Sequence, residues 1–247
     1  ALAMQKLLEA EGLDASLIAY RQDRIKYFFQ RLADLGPADA AVRICRKAAF
    51  RLLRMRRAEG EAIRKREERF RAFMEEIPHT DTVYTERTLR LCDWHFDCYV
   101  CGSDQIWNPS WWNGFLLLQF TEKPRFAYGA SIARISLTES QKHCLLESTR
   151  DFIGISVREY QAQVMLRSFL AKKVDCVLDP VFLVPSDTWS QMAVLPDEKK
   201  PYVLLYNLGN STDLLNMICR KSRQAGFRVV SVGFGHNTYF RSRGAEP

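Results

Sequence analysis

Four short apolar runs in the middle of this chain each end abruptly in small, polar or charged residues, and this repetition limits the fold more than any other feature. FDCYVC (Phe96 to Cys101) runs into Gly102-Ser103-Asp104-Gln105 and then Trp107-Asn108, while RFAYGASI (Arg125 to Ile132) carries Gly129-Ala130-Ser131. FIGISV (Phe152 to Val157) is followed by Arg158-Glu159, and VDCVL (Val174 to Leu178) by Asp179-Pro180. Apolar runs of strand length alternating with helical patterns specify an α/β fold with a mostly parallel sheet, covered on both faces. The segment TESQKHCLLESTR is the helix between the second and third strands, capped by Thr138, and a further helix runs from about Glu159 to Leu170. Ligands of open parallel sheets bind outside the carboxyl ends of the strands, so four polar endings in succession describe a crevice.

The flanks follow the same grammar. ALAMQKLLEAEG at the start reads as a helix stopped by Gly12, and DASLIAY (Asp14 to Tyr20) as a strand after it. That helix has no start signal, so the expectation is a chain truncated upstream, with its first strand missing. Residues 22–78 are charged, low in glycine and helical, with Ile63, Phe70, Phe73 or Met74, and Ile77 spaced as a docking face. Pro185 to Pro201 reads as an interdomain linker, after which PYVLLYNLG, Ser211 to Gln224 and RVVSVGFG form a second strand-helix-strand unit. It ends after too few elements to close a sheet, which suggests truncation at that end as well.

Charge and cysteine usage narrow the function classes. Between Arg43 and Arg71 stand twelve Lys or Arg against four Glu, a local balance that accounts for the whole net charge of +7. Such a stretch could meet anionic lipid, a phosphate-bearing substrate or nucleic acid, or stand as a solvated helix face. Glu59, Glu61, Glu67 and Glu68 break up the field, and no motif suggests nucleic-acid readout. The seven cysteines are odd in number and dispersed, which predicts reduced thiols. Cys98 and Cys101 make a C-x-x-C without a second pair, and on a strand they point to opposite faces. No apolar stretch reaches the roughly 18 residues of a membrane span, and the N-terminus lacks a signal-peptide layout. A cytoplasmic location is the expectation, with peripheral contact to the inner face of the membrane as an extension of it.

Among the strand-end residues Arg158 is the most suggestive. Its guanidinium, beside a helix N-terminus, could hold a carboxylate or phosphate, or could pair locally with Glu159 or Asp179. Asp104 and Asp179 are candidate acid or base groups, or else caps and turn residues. His143 lies within a helical pattern and reads as a surface residue; His236 follows GFG in a loop.

Taken in order, these segments resemble the polysaccharide pyruvyl transferases. That family carries a fivGSDQiWNp segment, a strand like isYaaSfG, an isvRE, a vlDPtlLl ahead of a Trp, and a strand like yilvYll. This chain has FDCYVCGSDQIWNP, RFAYGASIAR, IGISVRE, CVLDPVFLV with Trp189, and PYVLLYNLG, over about residues 96 to 209. The family's upstream N-x-G-A turn and late S-F-H-G motif do not occur here. The resemblance implies two Rossmann-like domains in a GT-B-like arrangement, residues 1–197 with the insertion at about 22–78, and residues 198–247 as the start of the second. It implies transfer of a pyruvyl group from phosphoenolpyruvate onto a saccharide or lipid-linked saccharide as a ketal, in surface or exopolysaccharide biosynthesis. Asp104, Arg158 and Asp179 would then be catalytic, Arg158 holding the donor, and Gly102, Ser103, Gln105, Trp107, Asn108, Ser131 and Glu159 would bind substrate. The proton-transfer histidine would lie downstream, and neither a cofactor nor a metal is implied. A nucleotide-sugar glycosyltransferase of the same architecture, or a noncatalytic fragment binding lipid or polyanion through Arg43 to Arg71, are the alternatives.

Overall fold

A computed structural model describes residues 1–22, 57–194, 201–206 and 212–232 of the chain. It divides into two compact units, Ala1–Gln191 and Met192–Pro247. The first holds a four-stranded sheet in the order β1-β2-β3-β4, made of β1 (Tyr99–Cys101), β2 (Arg125–Ala130), β3 (Phe152–Val157) and β4 (Asp175–Cys176). Every neighbouring pair is parallel, as the apolar runs require. All four carboxyl ends therefore open on one edge.

The helices that cover the sheet form where their caps and apolar spacing place them. α1 (Leu2–Ala10) stops where Gly12 takes φ +79°. α3 (Glu139–Thr149) begins in a reciprocal capping box: Gln141 N donates to Thr138 Oγ1 over 3.3 Å, and Thr138 N to Gln141 Oε1 over 3.0 Å. α4 (Tyr160–Arg167) turns Ala162 and Leu166 into the core, where they meet Leu145, Ile155, Val157 and Val174. Between β1 and β2 the connection is a series of turns instead of a helix, broken by Asn108-Pro109 and Asn113-Gly114. Trp107 anchors it, fully buried and edge-on to Phe152 at 6.2 Å between ring centroids.

Two expectations from the flanks need correction. DASLIAY is not a sheet strand; Leu17 and Tyr20 form isolated parallel bridges with His79 and Tyr84. Thr80 Oγ1 takes the Ala19 amide at 3.0 Å in place of a backbone acceptor, which interrupts the ladder. The main-chain bonds that remain, Leu17 N to Pro78 O, Thr80 N to Leu17 O, Tyr84 N to Ala19 O and Arg21 N to Tyr84 O, hold the two ends of the charged stretch side by side. Within that stretch, α2 (Arg57–Glu75) is helical as its pattern predicts. The described part of its apolar stripe does not dock, however: Phe70, Phe73 and Met74 are exposed, while Ile77, beyond the helix end, is buried, and the Ile63 side chain lies outside those described. The rest of the basic segment, Arg43 to Arg56, lies outside the described residues.

The expected linker likewise opens with a helix, α5 (Ser186–Met192), because Pro185 and the acidic Asp187 favour a helical first turn. Trp189 Nε1 donates to Val181 O at 3.1 Å and holds this helix beside the end of β4. The second unit, described by itself, is the expected strand-helix-strand. β5 (Tyr202–Tyr206) and β6 (Arg228–Val232) are parallel and in continuous register around α6 (Thr212–Gln224). Leu205 and Cys219 pack on the buried Leu215. Among the described residues, no helix is long and apolar enough to cross a membrane.

Burial makes Trp107 a structural anchor of the β1–β2 connection. Trp107→Ala is expected to cost about 3–5 kcal/mol, read as a lower urea midpoint with an unchanged slope.

Candidate active site

The sheet edge gathers its polar residues because β1 to β4 all point the same way. Gly102 leaves β1 at φ +136°, where a Cβ would stand 1.9 Å from the Tyr128 carbonyl oxygen, so only glycine lets these two strand ends meet. The peptide that follows, Gly102-Ser103, is cis. Beyond it the turn is stitched to the end of β2: Ser131 N donates to Asp104 O and Trp107 N to Ser131 O, both over 3.1 Å. On β2 itself one extra residue bulges between Ala127 and Ala130, and Gly129 occupies the bulge at φ +58°. The Gly129 amide finds Ser156 Oγ at 3.0 Å, and that hydroxyl donates on to Ala127 O at 3.1 Å.

Arg158 sits at the centre of the side chains so assembled. Its Nη1 lies 2.8 Å from Asp179 Oδ2, its Nε 3.5 Å from Glu159 Oε1 and its Nη2 3.8 Å from Asp104 Oδ1. Ser103 Oγ donates to the same Asp179 Oδ2 over 3.1 Å, and Ser131 Oγ donates to Glu159 Oε1. Pro180 keeps Asp179 extended, at φ −60° and ψ 137°, so that its Oδ1 caps the following turn by accepting from Val181 N at 3.2 Å. Both of the local pairings open to Arg158 are thus formed, and Asp179 is at once a cap and a member of the cluster.

Electrostatics separates the carboxylates. Burial opposes ionisation of Asp179, but the Val181 amide, the Arg158 guanidinium and the Ser103 hydroxyl together outweigh it and hold the carboxyl below its ordinary range. At neutral pH Asp179 is therefore an acceptor. Asp104 stands almost wholly in solvent, its side chain 89% exposed, and its pair with Arg158 is correspondingly loose. Glu159 Oε2 is buried without a hydrogen-bond partner among the described residues. One guanidinium thus faces three carboxylates.

Of the residues read from the sequence, Ser103, Asp104, Ser131, Arg158, Glu159 and Asp179 come together in this cluster, and Gly102 makes its close approach possible. Gln105 is exposed beside it and accepts from Asn108 Nδ2 at 3.2 Å. Trp107 and Asn108 are both buried, Trp107 edge-on to Phe152 and Asn108 bonded to Gln105, Ser110 and Arg134. His143 is exposed on α3, and His236 lies outside the described residues. Cys98 is exposed just before β1 and Cys101 is buried at its end, and burial pushes the Cys101 thiol up to about 12. Sequence reasoning missed two residues. Tyr128 lies close enough to Asp179 that burial, then that negative charge, raise its phenol, which stays a neutral donor; the alternation along β2 was the available signal. Arg134 bonds Asn108 and Ser110 beside the site, and no local pattern marks it. Among the described residues no group of His, Cys, Asp or Glu is gathered as a metal site.

Comparison with known proteins gives one match: the model of a family described as polysaccharide pyruvyl transferase covers residues 1–231. It extends well beyond the five segments at 96 to 209 and spans the charged insertion. No curated protein and no solved structure matches the chain.

Two substitutions test this geometry. Gly102→Ala should lower the stability by more than about 2 kcal/mol, since both the φ and the Tyr128 carbonyl resist a side chain. Asp179 has a depressed folded pKa, so its contribution is fully present above the unfolded value of about 4 and is lost as pH falls through the folded one. The melting temperature of Asp179→Asn should accordingly fall below wild type at pH 7, with the gap closing in acid below pH 4.

Proposed function

We propose, from the premise that this chain belongs to the polysaccharide pyruvyl transferase family and is a transferase, that it moves the pyruvyl group of phosphoenolpyruvate onto two hydroxyls of a saccharide. The observation that carries this reading is the convergence of Ser103, Asp104, Ser131, Arg158, Glu159 and Asp179 at one sheet edge. The family establishes a saccharide acceptor in broad terms; the donor, the ketal product and the setting in surface or exopolysaccharide synthesis are the proposal. A GT-B-like pairing of two Rossmann-like domains is the architecture that would enclose such a site.

The chemistry divides into steps these residues suit. A proton added to the donor's methylene carbon makes C2 electrophilic; one saccharide hydroxyl adds there with loss of its proton, phosphate departs, and the second hydroxyl closes the ketal with loss of another. Asp179, held ionised, is placed to accept a hydroxyl proton, and the Tyr128 phenol to donate a hydrogen bond beside it. Arg158 takes the donor's carboxylate on its Nη2 edge, where the exposed Asp104 is held at only 3.8 Å and is cheaply displaced. Ser103, Gln105, Ser131 and Glu159 supply hydrogen bonds for sugar hydroxyls and set their orientation. The basic segment Arg43 to Arg71 would bring the enzyme to an anionic membrane carrying a lipid-linked acceptor.

The test is incubation with phosphoenolpyruvate and oligosaccharides of surface polysaccharides, following phosphate release and the ketal methyl signal by NMR. Arg158→Ala and Asp179→Asn should each lower kcat/KM by about a hundredfold or more. Turnover of a nucleotide sugar, with none of phosphoenolpyruvate, would overturn the reading.

A further inference from the structure

The cluster around Arg158 sets an electrostatic problem for the substrate just proposed. Three carboxylates surround one guanidinium, so this end of the sheet carries an excess of two negative charges. A donor bearing both a carboxylate and a phosphate is repelled by that field unless a second cation stands nearby. Such a cation, paired with no acid among the described residues, is found on the loop that follows β2.

Ile132 and Leu137 are buried, and the four residues between them are exposed. At the start of this short loop Ala133 adopts φ +50°, a conformation unfavourable to a residue with a Cβ, and the turn it makes sends Arg134 back over the β1–β2 connection. There its Nη2 donates to Ser110 Oγ at 2.6 Å and its Nε to Asn108 Oδ1 at 3.4 Å. Asn108 is itself fixed: buried, it accepts from Ser110 N at 3.1 Å and donates to Gln105 Oε1 at 3.2 Å. Gln105 adjoins Asp104, and Ser131, three residues before Arg134, bonds Glu159. The loop is therefore built into the same network as the site.

Both anchors of Arg134 are neutral, and no carboxylate pairs with it among the described residues. By contrast Arg125 is paired with Asp151, Arg150 with Glu147, and Arg158 with its three acids. A guanidinium held by two neutral acceptors keeps its full charge and an open face of N–H donors, in a fixed orientation. We infer that Arg134 is the anion-binding residue on the β2 side of the cleft, contacting a substrate phosphate group; this rests on the pyruvyl-transfer reading for the donor as its source. The diphosphate of a lipid-linked acceptor offers the same chemistry. Asn108 and Ser110 are positioning residues for Arg134, which gives the buried Asn108 a reason to be there.

The inference is tested on the whole chain by calorimetric titration with phosphoenolpyruvate, inorganic phosphate and a saccharyl diphosphate, comparing wild type, Arg134→Gln and Arg134→Lys. Arg134→Gln should bind phosphate-bearing ligands about tenfold or more weakly, with its melting temperature within about 2 °C of wild type. Arg134→Lys keeps the charge and should recover part of that loss, whereas a purely structural role would leave Gln and Lys alike. A loss on phosphoenolpyruvate assigns the donor phosphate, and a loss confined to the saccharyl diphosphate assigns the acceptor's. Unchanged affinity of Arg134→Gln for all three overturns the inference while leaving pyruvyl transfer intact. Arg134-dependent phosphate binding by a protein that does not turn over phosphoenolpyruvate would do the reverse. Failure of wild type to bind any of the three removes both.

Discussion

The Asp179 carboxylate is the interaction on which the sheet edge depends. One of its oxygens receives both Ser103 from the end of β1 and Arg158 from the end of β3, and the other receives the Val181 amide of its own turn. Three separate pieces of chain are thus tied by a single acid at the end of β4. Removing a partly buried charge from water is costly, and the cost is offset here because each oxygen is engaged. The same engagement holds the acid ionised.

That tie requires strand ends to come closer than side chains ordinarily allow. Gly102 meets the Tyr128 carbonyl with no space for a Cβ, and the bulge at Gly129 breaks the β2–β3 ladder just where the polar residues begin. Ser156 repairs the break by offering its hydroxyl as acceptor to one strand amide and as donor to a carbonyl two residues earlier. A buried serine in a run such as FIGISV is therefore a backbone substitute, and its chemistry is consumed inside the sheet. The candidate site residues are carried by the irregularity, with regular structure below it.

How much of this was legible follows from the range of each signal. Strand-length apolar runs and their polar endings are local, so the gathering of Arg158, Asp179 and Ser131 at one edge of a parallel sheet was readable from sequence. The burial of Trp107 and Asn108 was not legible, because the β1–β2 connection has no period from which to infer direction; its turns, with Leu118 at φ +51°, decide it. Likewise the alternation on α2 identifies an apolar stripe but not its partner, and Phe70, Phe73 and Met74 remain exposed. Alternation along β2 hints at the side on which Tyr128 stands, but its nearness to Asp179, like the contacts of Arg134 with Asn108 and Ser110, spans more than twenty residues of sequence, which no local pattern encodes.

The three contacts of Arg158 form a graded series, 2.8, 3.5 and 3.8 Å, and the grading follows solvent exposure of the acids. The most buried acid grips the guanidinium at Nη1 and sets its plane, and the most exposed only approaches Nη2. A rigid edge and a yielding edge on one planar group let an incoming carboxylate replace Asp104 without disturbing the Asp179 tie. Such an exchange substitutes one anion for another, so the guanidinium is never left bare and little new desolvation is incurred. On the proposed reading the same exchange would free Asp104 as the donor arrives, beside Gln105 and the loop network that Asn108 supports. Donor binding at Arg158 and rearrangement of the acceptor side would then be one physical event.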